Sequence, residues 1–148
     1  MKGIGYQEYK TLRLNEGYTP SNMEDKGNER FLIYFGRAHV TDFESKKPCR
    51  GYLKIGRGKF ATAIMRGRNQ PGIDFRIYAE LILPNDAATR VVKRIIEDAL
   101  GHRNLKFSQG QQEMYDISDD DLETTVNTIV SIVEAETDYK ILEKNFYM

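Results

Sequence analysis

A single cysteine, Cys49, is all the thiol chemistry in this chain of 148 residues. One thiol excludes an internal disulfide and any cysteine-rich zinc site, and it suits a reducing compartment. His39 and His102 beside Cys49 make no zinc-ligand set either. No apolar run approaches the ~20 residues that span a bilayer, so no membrane partner is expected. The opening Met1-Lys2-Gly3-Ile4-Gly5-Tyr6 lacks the apolar core of a secretory signal, which predicts a soluble, cytoplasmic protein. Internal repeats and low-complexity tracts are absent. What remains is a length suited to one domain, able to bury roughly 68–70% of its unfolded surface without a staple.

Net charge is lacking too, with 22 Lys and Arg against 22 Asp and Glu, but the signs are segregated along the chain. Arg30, Arg37, Lys46, Lys47, Arg50, Lys54, Arg57, Lys59, Arg66 and Arg68 are opposed only by Asp42 and Glu44. From Glu113 onward the balance reverses, with Asp119, Asp120, Asp121, Glu134, Glu136 and Glu143 among the acids and only Lys140 and Lys144 as cations. A basic first half can attract phosphates while the acidic end repels them. The alternative is that the two segments pair with each other, within one chain or across a dimer.

Hydrophobic periodicity orders the elements. Residues 1–29 show no sustained period and are expected as an irregular or hairpin-like arm. Phe31-Leu32-Ile33-Tyr34-Phe35 opens a strand running to Val40, and Gly51-Tyr52-Leu53-Lys54-Ile55-Gly56 makes a second, so the pair predicts an antiparallel hairpin. A short helix over 59–66 follows, with Gly67 to stop it. Ile73, Phe75, Ile77, Ala79, Leu81 and Leu83 alternate with Asp74, Arg76, Tyr78 and Glu80, the cleanest strand pattern in the chain. Asn85 and Asp86 offer a cap for a helix over 87–100. Residues 114–117 suggest a short edge strand, and Ser118 with three aspartates starts a last helix whose stripe is Leu122, Val126, Ile129, Val130 and Val133. The apolar tail, including Tyr139, Ile141, Phe146 and Tyr147, is expected to dock on the domain or on a second subunit. The fold class is therefore α+β: an arm over 1–29, a domain over 30–117, and an added C-terminal helix and tail over 118–148.

Several segments then resemble the GIY-YIG nuclease superfamily. Gly51-Tyr52-Leu53-Lys54-Ile55-Gly56 looks like its second half-motif, in the compact phage and mobile-element branch where Lys-Ile-Gly replaces Tyr-Ile-Gly. Arg66 follows where the family places an arginine. Ile96-Glu97-Asp98-Ala99-Leu100 resembles its hydrophobic-Glu-x-x-Leu helix, and Gly110-Gln111-Gln112-Glu113-Met114-Tyr115 resembles its later Gly-x-x-Glu-aromatic segment. The resemblance spans about residues 31–117 and rests on the order and spacing of these segments.

It implies an antiparallel sheet of about three strands flanked by helices, and divalent-metal-dependent hydrolysis of DNA phosphodiester bonds, in a bacterial or phage-infected cell. Glu97 would hold the metal, Mg²⁺ or Mn²⁺, with retained waters. Arg66 would take the phosphate, with Arg57 or Arg68 as alternatives, and Tyr52 and Lys54 would share the site. No Gly-Ile-Tyr precedes the hairpin, so the first half-motif falls to His39, nearer the usual spacing and with an imidazole that can act as a base near neutral pH, in preference to Tyr34, which keeps the residue type but lies farther upstream of Lys54. These two have opposite strand parity and share a face only through a bulge near Gly36. Arg37, Arg57, Lys59 and Arg68 are the expected nucleic-acid contacts. The other function class is a scaffold of this kind without catalysis, binding nucleic acid or a protein. A homodimer through the last helix and tail would suit double-strand cutting.

Overall fold

The computed structural model describes residues 3–17, 30–41, 48–58, 69, 71–103 and 113–147. The helix expected over 59–66 lies outside the described residues. Strands β1 (Phe31–Thr41), β2 (Pro48–Arg50), β3 (Leu53–Gly58), β4 (Ile73–Leu83), β5 (Met114–Tyr115) and β6 (Glu143–Phe146) form one antiparallel sheet. Its order is β5-β3-β1-β4-β6, and β2 pairs with the end of β1. The three expected strands, β3-β1-β4, are thus the centre of a sheet twice as large. The short edge strand β5 stands within the segment 114–117 where one was expected, whereas the opposite edge, β6, is polar at Glu143-Lys144-Asn145, where no alternation signals a strand.

Ile33, Phe35, Leu53, Ile55, Ala79, Leu81 and Leu83 face one side, which helices α2 (Asp86–Leu100) and α3 (Asp119–Glu136) cover. Asn85 caps α2 by accepting from the Ala88 amide at 2.8 Å, as its sequence predicts. Ser118 makes no side-chain capping bond at α3. A cap contributes about 1 kcal/mol, whereas each buried side chain of the stripe Leu122, Val126, Ile129 and Val133 contributes about 1.5–3 kcal/mol, so packing fixes α3.

The second side is covered by helix α1 (Tyr6–Asn15), where an irregular arm was expected. Its buried residues are Tyr9 and Arg13, one turn apart, so the helix docks through an arginine and shows no apolar stripe in sequence. Ile4 extends the contact by bridging to Ile77.

The uniform alternation of β4 is broken in space. Phe35 pairs with Ala79 but Gly36 pairs with Ile77, so Tyr78 is an extra residue, a bulge. Parity switches there: Ala79, Leu81 and Leu83 face α2 and α3, while Phe75 and Ile77 face the α1 side. Tyr78, expected outward, is fully buried. Gly36 permits this packing, since a Cβ there would lie 2.6 Å from the Phe75 ring and 2.9 Å from the Arg76 carbonyl. The C-terminal tail docks on its own domain, as β6 along β4. Among the described residues no helix is long and apolar enough to cross a membrane.

Candidate functional site

The β5 edge of the sheet gathers charged residues from three separate segments. Lys54 sits between Leu53 and Ile55 in β3, opposite Gly36 of β1 and Met114 of β5. It is 3% exposed, and its ammonium donates to Glu113 Oε2 at 2.7 Å. Glu113 is placed by backbone pairing, since the Ile55 amide donates to its carbonyl at 2.9 Å. Its other carboxylate oxygen accepts from Lys93 of α2. Burial alone would raise the Glu113 carboxyl; the hydrogen bonds and charges of Lys54 and Lys93 reverse this and hold it below the ordinary carboxylate range.

Tyr115, paired with Leu53 and nearly fully buried, joins this group. Burial, followed by the charges of Glu97 and Glu113, pushes its hydroxyl up to about 12, so at neutral pH it remains a hydrogen-bond donor and no base. Glu97 is thereby within electrostatic reach of the cluster, on the exposed side of α2 one turn after Lys93. Lys54 and Glu113, from two separate segments of the family resemblance, are bonded at this edge, and Glu97, from a third, lies within electrostatic range of Tyr115 beside them. Lys93 and the role of Tyr115 were not singled out from sequence; the i, i+4 spacing of Lys93 and Glu97 was the available signal.

The other expected residues are dispersed. Tyr34 is 4% exposed and faces the α1 side, its ring lying over Gly56, where a Cβ would be 2.5 Å from the Tyr34 hydroxyl. His39 faces the opposite side, stacked on Tyr78 with its Nε2 hydrogen-bonded to the Tyr78 hydroxyl at 2.7 Å. The bulge near Gly36 exists, but its extra residue is on β4, so it turns Tyr78 toward His39 and leaves Tyr34 and His39 on opposite faces. Tyr52 precedes β3 and is half exposed. Arg66, Lys59 and Arg68 lie outside the described residues.

Arg37, expected at a nucleic-acid surface, is 7% exposed and engaged inside the domain. It donates to Asp119 at 2.9 Å, to the Gly51 carbonyl at 3.1 Å and to the Ile117 carbonyl. Arg57 is partly exposed and bonds Asp86 at 2.9 Å. Arg30 reaches Glu143 at 2.7 Å. The basic and acidic segments therefore pair within the chain at Arg30–Glu143, Arg37–Asp119 and Lys54–Glu113.

A second polar cluster lies under α1. Fully buried Glu80 of β4 accepts from Tyr9 at 2.7 Å, Tyr147 at 2.6 Å and Asn145 at 3.2 Å, and lies 3.1 Å from the Arg13 guanidinium. Burial and then Glu80 raise the Tyr9 and Tyr147 hydroxyls well above their usual value. This closed network ties α1 and β6 to the sheet.

Mg²⁺ commonly takes one or two carboxylates and completes its shell with waters and substrate phosphate. Glu97 meets that minimum, being exposed, whereas both Glu113 oxygens are occupied by ammonium groups. Among the described residues no group of three or more His, Cys, Asp or Glu comes together. Compared with protein-family models, curated proteins and solved structures, the chain matches none.

Proposed function

We propose that this chain is a small metal-dependent DNA endonuclease whose site is the β5 edge of the sheet. The observation that carries this is the Lys54–Glu113 bond there, with Glu97 within electrostatic range of the adjoining Tyr115, three residues drawn from separate segments of the GIY-YIG resemblance. Hydrolysis of a phosphodiester needs a positioned nucleophile, positive charge over the developing oxyanion, and help for the leaving oxygen. Glu97 would hold Mg²⁺ or Mn²⁺, which supplies charge neutralisation and an acidified water when bound. Lys54, fixed by Glu113, contributes positive charge. Tyr115 stays protonated and can donate a hydrogen bond toward an anion. Arg66 takes a phosphate oxygen in this scheme, as the family resemblance implies.

Strand geometry favours Tyr34 over His39 as the first half-motif residue, because Tyr34 lies directly across from Gly56 of the Lys-Ile-Gly sequence. His39 faces away from it and is committed to Tyr78. The experiment is incubation of the purified chain with supercoiled plasmid and Mg²⁺ or Mn²⁺, alongside Glu97→Gln and Arg66→Ala. Metal-dependent nicking lost in both variants supports the assignment. No cleavage of any DNA form by the unaltered chain refutes it.

A module of the same fold class without catalysis is the second reading. The observation favouring it is that Arg30, Arg37, Lys54 and Arg57 are all held in ion pairs with acidic side chains, which reduces the cationic charge free to meet DNA. Salt-sensitive DNA binding without cleavage would select it.

A further inference from the structure

Lys93 belongs to no segment of the resemblance, yet its position beside the proposed site is specific. It lies one helical turn before Glu97 on α2, and side chains at that spacing leave the helix on the same side with Cβ atoms about 5–6 Å apart. A glutamate of its own helix, Glu97, is therefore within reach of Lys93. Here its ammonium is bonded instead to Glu113, which belongs to the segment entering β5. Glu113 also accepts from buried Lys54 at 2.7 Å, so the carboxylate holds both ammonium groups.

In the Lys54-Glu113-Lys93 triplet two ammonium groups share one carboxylate. Lys54 is 3% exposed while the Lys93 side chain is 29% exposed, so of the two lysines Lys93 is the one that solvent reaches. An ammonium has three donors and no acceptor. Lys93 can keep its bond to Glu113 and still donate to an incoming oxygen anion, and its long stem is held in place before the anion arrives.

We infer that Lys93 is a phosphate-contact residue of the proposed site, binding a DNA backbone phosphate one helical turn from Glu97; this rests on the nuclease reading above. Binding of a short DNA duplex is measured in EDTA, where metal-dependent cutting is blocked, across a fourfold rise in salt. Each phosphate contact contributes a slope of about −0.9 in log K against log salt. The unaltered chain should therefore lose about 3.5-fold more affinity over that range than Lys93→Gln. Lys93→Arg, which keeps the charge, should restore the slope. Both variants alter a partly exposed helix position, and a thermal melt verifies that they fold. If the unaltered chain binds DNA and Lys93→Gln shows the same slope, the inference about Lys93 is overturned while the DNA reading stands. If the unaltered chain binds no DNA, both fall together.

Discussion

Replacing Glu113 by Gln removes the carboxylate shared by Lys54 and Lys93 and takes from the Lys54 ammonium, 3% exposed, a charge partner at 2.7 Å. Removing one member of a fully buried pair costs about 3–5 kcal/mol. Glu113 itself is 27% exposed and the amide oxygen of Gln still accepts one hydrogen bond, so a loss of about 2–3 kcal/mol is expected. With a urea dependence of about 2 kcal/mol per molar, the unfolding midpoint should fall by about 1–1.5 M at pH 7. The effect is tied to pH. The folded carboxyl titrates below its unfolded value, so its contribution is complete above the unfolded value of about 4.3 and disappears as pH falls through the lower folded value. The gap between the two proteins should be constant from pH 6 to 8, to within about 0.5 kcal/mol, and should close in acid. A gap below about 0.5 kcal/mol at pH 7, or one that persists unchanged in strong acid, would refute the claim that Glu113 works as the carboxylate holding Lys54.

Arg13→Met strands fully buried Glu80 and should cost about 3–5 kcal/mol by chemical denaturation; the double variant with Glu80→Gln should recover at least about 1 kcal/mol of it, and additive losses would contradict the pairing. Gly56→Ala drives a Cβ into the Tyr34 ring and should destabilise by about 1–3 kcal/mol, a loss that Tyr34→Ala relieves in the double variant. Tyr115 should ionise only near pH 12 in an ultraviolet phenolate titration of the folded chain. Because its folded value is raised, its contribution is complete below about pH 10 and falls away through about 12, a slope that Tyr115→Phe removes.

Long elements with a clean period were legible in the sequence: the strands starting at Phe31 and Ile73, helix α2 with its Asn85 cap, and the α3 stripe all stand where their patterns place them. Helix α1 was not, because its buried face is Tyr9 and Arg13, and an arginine in a core is recognisable only once Glu80 is seen across from it. The bulge at Tyr78 was equally silent. Strict alternation through residues 73–83 describes one face, and only the pairing Phe35–Ala79 beside Gly36–Ile77 reveals that the face changes midway. Strand β6 was foreseen as a docking tail without its form, since hydrogen bonding to β4 needs no side-chain period. At the proposed site, Lys54, Glu97 and Glu113 drew attention in the sequence only through the family resemblance of their segments. The Lys54–Glu113 bond was not legible there, nor was the dispersal of Tyr34 and His39 to opposite faces, because both depend on a partner strand distant in sequence.

The central claim is that Lys54 and Glu97 act in one site on a phosphodiester. Metal-dependent nicking rates of Lys54→Met, Glu97→Gln and the double variant test it most directly, with a melt to verify folding. Groups that act as a unit are not additive in log rate, so the account predicts that the double variant is no slower than the worse single variant. Effects that add fully in log rate, or an unimpaired Glu97→Gln, would contradict it.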